Sequence, residues 1–367
     1  MAGNTMNSAN NSASLIIAQL EGALGRLTLN RPEALHALNQ IMVDSLRNQL
    51  VRWRENDQVQ VVMLDHSGVR GFCAGGDIAM LAASGAKDSV EARAFFHAEY
   101  RLNHLIHGYS KPIVAIMDGI VMGGGVGLSV HAPFRIATER TVFAMPETGI
   151  GLFPDVGGGW FLPRLEGQIG IWLALTGVRL KAADMLRAGL ASHFVPSEIL
   201  GAVKAQIGGA AQTHAPRAAL ASGLAALAED AGVVRELTDE VITAINICFC
   251  FDTIEEIVAA LSEYGSEWAL KQLNILATRS PQTLKVALRQ MRLGASAATF
   301  AENMTMEYRI GSRVVSLHDF QEGVRAVITD KDNAPKWQHA EPRQVTAREL
   351  DAIFAPLPDN EEWTPLI

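Results

Sequence analysis

The sequence is poor in cysteine and has no long uninterrupted apolar run. Its three cysteines, Cys73, Cys248 and Cys250, are too few for a disulfide scaffold. The last two lie in an apolar run and are predicted to be buried thiols, and this cysteine usage favours a reducing, cytoplasmic location. The most apolar stretch, residues 112–130, contains Asp118 and five glycines, which argues against a membrane-spanning helix.

Positive charge is also in deficit. The 367 residues carry 31 Lys and Arg against 39 Asp and Glu, a net charge of −8 at pH 7. Non-specific nucleic-acid binding depends on attraction to phosphates, so this balance argues against nucleic acid as a partner. With 49% hydrophobic and 19% charged residues, the chain is predicted to pack as an ordered globule. Residues 1–14 are small and polar and are predicted to form a frayed, uncleaved tail.

Short β-branched runs alternate with helical patterns in the first half of the chain. Strands are predicted at 15–19, 25–30, 59–66, 113–118, 135–137 and 142–144, and helices at 42–56, 92–107 and, after a turn, 122–131. This alternation predicts an α/β layered fold. Beyond it the sequence is rich in alanine and helical, with Ser280 as the expected N-cap of a helix at 283–293 and a further helix at 347–354. We therefore divide the chain into a tail (1–14), an α/β core (15–200), a helical region (201–337) and a C-terminal tail (338–367).

Several common catalytic signatures are missing. The sequence contains no G-x-S-x-G, H-E-x-x-H or G-x-x-x-x-G-K-[ST] pattern, and Leu128 stands where the third glycine of a dinucleotide-binding motif belongs. These absences count against serine hydrolases, zinc proteases, P-loop enzymes and Rossmann dehydrogenases. No histidine has the spacing of a metal ligand set, so neither a metal nor a cofactor is expected.

Two glycine-bearing turns each follow a predicted buried strand. They contain Ala74, Gly75 and Gly76 in the first turn and Gly123 and Gly124 in the second. A glycine turn before a helix leaves backbone N–H groups unpaired and lets another atom come close to them. Two such turns that meet could bind the oxyanion of an acyl transfer, helped by the dipole of the following helix. The alternative is that the glycines only allow a strand and a helix to pack closely.

Two carboxylates, Glu147 and Asp155, lie eight positions apart in a segment that cannot form a regular helix. The breakers in that segment are Pro146, Gly149, Gly151 and Pro154. A shaped loop of this kind is expected to place both carboxyl groups near each other among apolar side chains. Partial desolvation raises the pKa of a carboxyl group and suits it to proton transfer near neutral pH. The alternative is that either residue caps the helix that follows.

Three of these segments, 71–78, 111–131 and 143–165, resemble the enoyl-CoA hydratase/isomerase (crotonase) superfamily. Within it they are most similar to the 3-hydroxyisobutyryl-CoA hydrolase branch, whose C-terminal pattern matches residues 306–309, 318–320 and 322–332. The similarity covers residues 15–337. It implies a crotonase-like spiral of β-β-α units with an α-helical C-terminal extension.

The resemblance also implies a substrate and a set of peptide donors. The substrate is an acyl-CoA thioester whose carbonyl oxygen accepts hydrogen bonds from the N–H groups of Gly76 and Gly124. Ala74, Gly75 and Gly123, in the same two turns, are implied to contact the substrate.

The acidic residues implied by the resemblance are Glu147 as principal catalytic carboxylate, Asp155 beside it and Glu99 near the substrate. Hydratases of the superfamily have a second glutamate at the position of Gly127, and its absence here counts against hydration. Glu147 is expected either to attack the thioester or to activate a water, and the sequence leaves both routes open.

The expected reaction is hydrolysis of a short, branched β-hydroxyacyl-CoA to the free acid and CoA, as in valine breakdown. Arg31, Arg70 and Lys111 are candidates for holding the CoA phosphates, and a homo-oligomer is expected from the superfamily. Two alternatives remain: hydration or isomerisation of an enoyl-CoA, and a non-catalytic subunit that binds acyl-CoA or another protein.

Overall fold

Pairs of successive strands, each followed by a helix, organise the described part of the chain, residues 14–366 of a computed structural model. The strands are β1 (Ile16–Glu21), β2 (Leu24–Leu29), β3 (Val61–His66), β4 (Gly71–Cys73), β5 (Ile113–Met117), β6 (Ile120–Met122), β7 (Phe134–Ala137), β8 (Val142–Ala144) and β9 (His193–Phe194).

Helices occupy most of the remaining chain. They are α1 (Gln40–Arg54), α2 (Ile78–Gly85), α3 (Val90–His107), α4 (Gly124–Ser129), α5 (Gly158–Phe161), α6 (Ile169–Thr176), α7 (Ala182–Arg187), α8 (Leu200–Ala211), α9 (Pro216–Leu227), α10 (Asp239–Cys248), α11 (Ile254–Tyr264), α12 (Glu267–Ala277), α13 (Pro281–Ser296), α14 (Phe300–Val314), α15 (His318–Val324) and α16 (Ala347–Phe354). None of these helices is both long and apolar enough to cross a bilayer.

The strands form two sheets within residues 14–366. The larger sheet has the order β1-β2-β3-β5-β7-β9, with β1 antiparallel to β2 and the other neighbours parallel. The smaller sheet, β4-β6-β8, is entirely parallel. Each of the pairs β3–β4, β5–β6 and β7–β8 places its first strand in the larger sheet and its second in the smaller sheet. This alternation is the expected spiral of β-β-α units, and it confirms the predicted α/β fold with a helical C-terminal extension.

The larger sheet is covered by helices on both faces. All residues of 61–64 and 113–117 are buried, as is usual for parallel strands packed on two sides. Helices α1 and α3 pack in the main apolar cluster on one side. Val203 and Leu220, from α8 and α9, pack with Val61 and Val114 on the other side. Helices α8 and α9, which follow the predicted core boundary at residue 200, therefore pack directly on the sheet. The boundary itself stays a prediction.

Most predicted elements match the structure within a few residues, including the β1–β2 hairpin and α16. Ser280 caps α13 as expected, because its hydroxyl accepts a hydrogen bond from the Thr283 amide at 3.1 Å. The prediction of two buried thiols after residue 240 is wrong for Cys250, which is exposed, whereas Cys248 is buried. Helix α10 ends at Cys248. Cys250 lies beyond that end, so its exposure is not set by the buried face of the helix.

A close approach between α4 and β4 joins two of the β-β-α units. A methyl group on Gly125 would lie 2.3 Å from the carbonyl oxygen of Cys73, a backbone atom that cannot move aside. Glycine at 125 is therefore required for packing. At this position the interpretation that the glycines allow a strand and a helix to pack closely is confirmed. The neighbouring residue, Gly124, begins α4 and faces a different environment, described below.

We expect Gly125→Ala to destabilise the protein by about 3 kcal/mol, because the added methyl group overpacks the contact with β4. The matched control is Gly208→Ala in α8, where nothing lies within 4 Å of the new methyl group. That control should be neutral or slightly stabilising. Urea unfolding measures both variants, and equal midpoints for the two would contradict this account of the contact.

Candidate active site

Three turns meet at one edge of the smaller sheet. Strands β4, β6 and β8 are parallel neighbours and end at Cys73, Met122 and Ala144. Their carboxyl ends therefore lie side by side, which is where ligands bind in open parallel sheets. The two glycine turns follow β4 and β6, and the segment that carries Glu147 follows β8. The fold brings these three segments together although they are far apart in sequence.

A narrow cavity of about 70 Å³ lies at this edge. All eight residues predicted for the site line it: Ala74, Gly75, Gly76, Glu99, Gly123, Gly124, Glu147 and Asp155. Apolar side chains that include Leu81, Phe95, Phe96, Ile150 and Leu152 complete its wall. The structure brings the predicted residues together, and their roles stay predictions.

The two glycine turns touch each other. A methyl group on Gly124 would lie 3.3 Å from the carbonyl carbon of Gly75, and one on Gly75 would lie 3.8 Å from the amide nitrogen of Gly124. Gly75 has a φ of 119° and Gly123 a φ of 47°, conformations that favour glycine. Within residues 14–366 the amides of Gly76 and Gly124 have no hydrogen-bond acceptor. Two unpaired N–H donors therefore border one cavity.

Glu147 lies across the second glycine turn. It is the first residue of the 3₁₀ turn Glu147–Ile150, directly after Pro146, and its side chain is buried. A methyl group on Gly123 would lie 3.3 Å from its Oε1 atom, and its Oε2 atom has no hydrogen-bond partner in the described part of the chain. Burial raises the pKa of Glu147 well above its usual value, and the nearby charge of Asp155 raises it further.

Asp155 is also buried and is held by a tyrosine. The Tyr100 hydroxyl on α3 donates a hydrogen bond to Asp155 Oδ2 at 2.9 Å. Burial raises the pKa of Asp155 to about 7, although the bond from Tyr100 opposes that rise. Helix α5 is capped by Gly157, so the alternative that Asp155 serves as its N-cap is wrong.

Glu99 completes a group of three buried carboxyl groups around the cavity. Its Oε1 atom has no hydrogen-bond partner among residues 14–366, and it would lie 2.6 Å from a methyl group on Gly124. Burial raises the pKa of Glu99 well above its usual value, and the charge of Asp155 adds to the effect. This unpartnered oxygen, beside Gly124, can accept a hydrogen bond from a hydroxyl group of a bound molecule.

The position of Gly127 is closed to a larger side chain. A methyl group there would lie 2.6 Å from Cβ of Val156 and 2.7 Å from Nδ2 of Asn103. The resemblance assigns hydratases a second glutamate at this position, where this chain has glycine. Val156 occupies the space that such a side chain would need. The carboxyl groups that remain around the cavity come from α3 and from the segment after β8.

Sequence reasoning missed Tyr100, although it stands next to Glu99. A buried tyrosine hydroxyl needs a hydrogen-bond partner, and this is the signal that could have singled it out. Its partner, Asp155, lies 55 positions away in the sequence, so only the fold reveals the contact.

The three basic candidates for the CoA phosphates lie in different surroundings. Arg31 donates to Asp77 Oδ2 at 3.2 Å, close to the Gly76 turn. Lys111 Nζ donates to the carbonyl oxygens of Trp53 and Asn56 at 2.6 and 2.7 Å, whereas Arg70 is exposed. No group of three His, Cys, Asp or Glu side chains that could hold a metal occurs in the part of the chain that the structure describes.

Comparisons with known proteins show the family of this chain. The family model described as enoyl-CoA hydratase/isomerase matches residues 24–354. The chain is 43% identical to the mitochondrial 3-hydroxyisobutyryl-CoA hydrolase of Homo sapiens, over 97% of this chain and 92% of that protein. It is 44% identical to the protein of the same name from Gallus gallus, over 95% of this chain and 91% of that protein.

Solved structures cover nearly the whole chain as well. A carnitinyl-CoA dehydratase from Mycobacterium thermoresistibile matches with a TM-score of 0.88 and 38% identity, over 96% of this chain and 99% of that one. An enoyl-CoA hydratase from Rhodobacter sphaeroides matches with a TM-score of 0.86 and 38% identity, over 96% of this chain and 100% of that one. The helical C-terminal region is therefore shared with these structures.

The burial of Glu147 has a consequence for stability that needs no substrate. A carboxyl group with a raised pKa in the folded state takes up a proton on folding, so the free energy of unfolding rises as the pH falls from about 8 toward 5. We expect Glu147→Gln to be more stable than the parent at pH 8, and this gap to narrow toward pH 5. Urea unfolding at both pH values measures it.

The matched control is Glu263→Gln, which replaces an exposed carboxyl group on α11. Its stability relative to the parent should change little with pH. A Glu147→Gln variant that is less stable than the parent at pH 8, or whose advantage does not depend on pH, would place Glu147 in a hydrated environment.

Proposed function

Because this chain belongs to the enoyl-CoA hydratase/isomerase family, we propose that it hydrolyses an acyl-CoA thioester, 3-hydroxyisobutyryl-CoA, to 3-hydroxyisobutyrate and CoA. The observation that carries the proposal is the meeting of two unpaired amides, those of Gly76 and Gly124, with the buried carboxyl group of Glu147 in one narrow cavity. The relatives of that name, 43% and 44% identical over most of the chain, support the choice of substrate.

The two amides act on the thioester carbonyl oxygen. Both N–H groups donate to that oxygen, which draws electron density from the carbonyl carbon and stabilises the negative charge that develops when the carbon is attacked. Removal of one such donor typically costs about 10²–10³ in turnover. The donors belong to the backbone of fixed glycine turns, so they need no reorganisation during the reaction.

Glu147 acts on the carbonyl carbon in one of two ways that lead to the same products. It removes a proton from a water whose oxygen attacks the carbon, or its own oxygen attacks and water then hydrolyses the resulting anhydride. In both routes the carbon–sulfur bond breaks and the CoA sulfur receives a proton. After a single turnover in H₂¹⁸O, label in the Glu147 carboxyl group would demonstrate the anhydride route with water attack on the glutamyl carbon, because the general-base route cannot place label there.

The other two carboxyl groups orient the reactants. Glu99 accepts a hydrogen bond from the β-hydroxyl of the acyl group through its unpartnered Oε1 atom. Asp155, held by Tyr100, lies near Glu147, and its negative charge when ionised raises the affinity of Glu147 for a proton. A desolvated carboxylate is also a stronger base than one in water. Apolar residues such as Phe95 and Leu81 complete a cavity suited to a short acyl group.

A second candidate function is hydration or dehydration of an enoyl-CoA. Two solved structures 38% identical to this chain are those of a carnitinyl-CoA dehydratase and an enoyl-CoA hydratase. The filled position at Gly127 disfavours this candidate, since no second glutamate fits beside Val156. A non-catalytic acyl-CoA-binding subunit is the third candidate, and the three buried carboxyl groups around the cavity disfavour it.

The reaction is proposed to belong to valine breakdown. The three free cysteines favour a reducing environment for it. The sequence expectation of a cytoplasmic location stays a proposal, and the relatives named above are mitochondrial proteins by name. Cell fractionation decides between the two compartments.

We expect the purified protein to release free thiol from 3-hydroxyisobutyryl-CoA faster than from straight-chain acyl-CoAs that lack a hydroxyl group. Glu147→Gln should lower kcat by about 10³-fold or more, because the proton acceptor or nucleophile is lost. Thiol release is measured with a chromogenic disulfide, and loss of the enoyl absorbance of crotonyl-CoA is followed in parallel.

Glu263→Gln again serves as the matched control and should keep the parent rate. Thiol release by Glu147→Gln at the parent rate would remove Glu147 from the mechanism. Hydration of crotonyl-CoA without thiol release would favour the second candidate, and no reaction with any acyl-CoA would favour the third.

A further inference from the structure

The turn that follows Asp155 has a costly backbone conformation. Val156 has a φ of 52° and Gly157 a φ of 91°. A β-branched residue rarely adopts a positive φ, and such strain persists only where surrounding contacts enforce it. The contacts that enforce it here come from buried polar side chains outside the cavity.

Glu307, on α14, provides the central contact. The amide of Gly157 donates to its Oε2 atom at 2.7 Å, and the amide of Gly159 donates to its Oε1 atom at 2.9 Å. Asn303 Nδ2 and Gln290 Nε2 also donate to Oε1, at 2.8 and 3.1 Å. The side chain of Glu307 is fully buried, and burial raises its pKa to about 8.

Two further side chains hold the carbonyl groups of the same turn. Gln290 Nε2 donates to the Pro154 carbonyl at 2.7 Å. His131 Nε2 lies 2.9 Å from the Val156 carbonyl, and it must donate there because a carbonyl oxygen only accepts. Side chains from α14, from α13 and from the turn after α4 therefore fix the backbone on both sides of Asp155.

None of the four residues that donate to Glu307 lines the cavity. Glu307 does not line the cavity, whereas Asp155 does. A buried carboxyl group destabilises a protein unless donors surround it, and well-packed apolar residues often replace such groups without loss of stability. Glu307 has four donors, and two of them are amides of this one turn. A buried carboxyl group at this position is explained if the conformation of the turn matters for the reaction.

We infer that Glu307 is a positioning residue, which holds the 155–159 turn so that the Asp155 carboxyl group meets Tyr100 and faces the cavity beside Glu147. This inference rests on the proposed function for its link to hydrolysis. Glu307 does not touch the substrate, and it acts on the reaction through Asp155. Small displacements of a reacting group caused by a residue outside the site are enough to slow an enzyme by about 10²-fold.

The test is a double-mutant cycle on the full-length protein with Glu307→Gln, Asp155→Asn and the combined variant. We expect Glu307→Gln to lower kcat for thiol release about 10- to 100-fold with KM changed less than about threefold, because the chemical step and not substrate binding is affected. In the Asp155→Asn background the same substitution should have almost no further effect on kcat. Glu302→Gln, an exposed carboxyl group on the same helix, is the control and should match the parent.

A merely structural role predicts a different result. Glu307→Gln would then lower kcat by the same factor with and without Asp155→Asn, in proportion to the folded fraction, and that outcome would overturn the inference. If Glu307→Gln does not accumulate as folded protein, Val156→Gly loosens the same turn without altering a buried carboxyl group, and the same cycle is run with it.

Hydrogen–deuterium exchange of the peptide that contains residues 154–162 gives a readout independent of activity. Exchange in this peptide should accelerate in Glu307→Gln and stay at the parent rate in Glu302→Gln. Unchanged exchange would contradict the inference even if activity fell. A parent protein that releases no thiol would refute the proposed function instead, and the exchange result would then decide alone whether Glu307 holds the turn.

Discussion

The close approach of α4 to the end of β4 is the constraint on which the site depends. Glycine at position 125 lets the helix lie against the Cys73 carbonyl, and this contact brings the turn before α4 beside the turn after β4. Two amides that come from separate β-β-α units then border one cavity, and neither is used by the secondary structure. A parallel sheet of three short strands is sufficient for this arrangement because it aligns the three strand ends at one edge.

Three buried carboxyl groups around one cavity destabilise the folded protein, and the rest of the chain compensates for them. Glu99, Glu147 and Asp155 are each nearly inaccessible to solvent. Burial raises the pKa of all three carboxyl groups, and the charge of Asp155 raises the pKa of Glu99 and of Glu147 further. The helical C-terminal region contributes directly to the site, since α14 supplies Glu307 and α13 supplies Gln290 to the turn that carries Asp155.

The parts of the site that were predictable from the sequence are those set by local chain chemistry. Gly76, Gly124, Glu147 and Asp155 stand in turns that are recognisable by their own glycines and prolines. Glu307 and its amide partner Gly157 lie 150 positions apart, and no local pattern connects them. The error at Cys250 has a local cause, because the exposure of a residue after a helix end depends on where that helix stops.

The most direct test of the account is the infrared spectrum of a thioester bound to the Glu147→Gln variant, with ¹³C in the acyl carbonyl of 3-hydroxyisobutyryl-CoA. If the amides of Gly76 and Gly124 both donate to the carbonyl oxygen, its stretching band moves to lower frequency than in water and narrows, because two fixed donors replace mobile solvent. A bound thioester whose carbonyl band stays at the frequency found in water, or moves to higher frequency, would contradict the account.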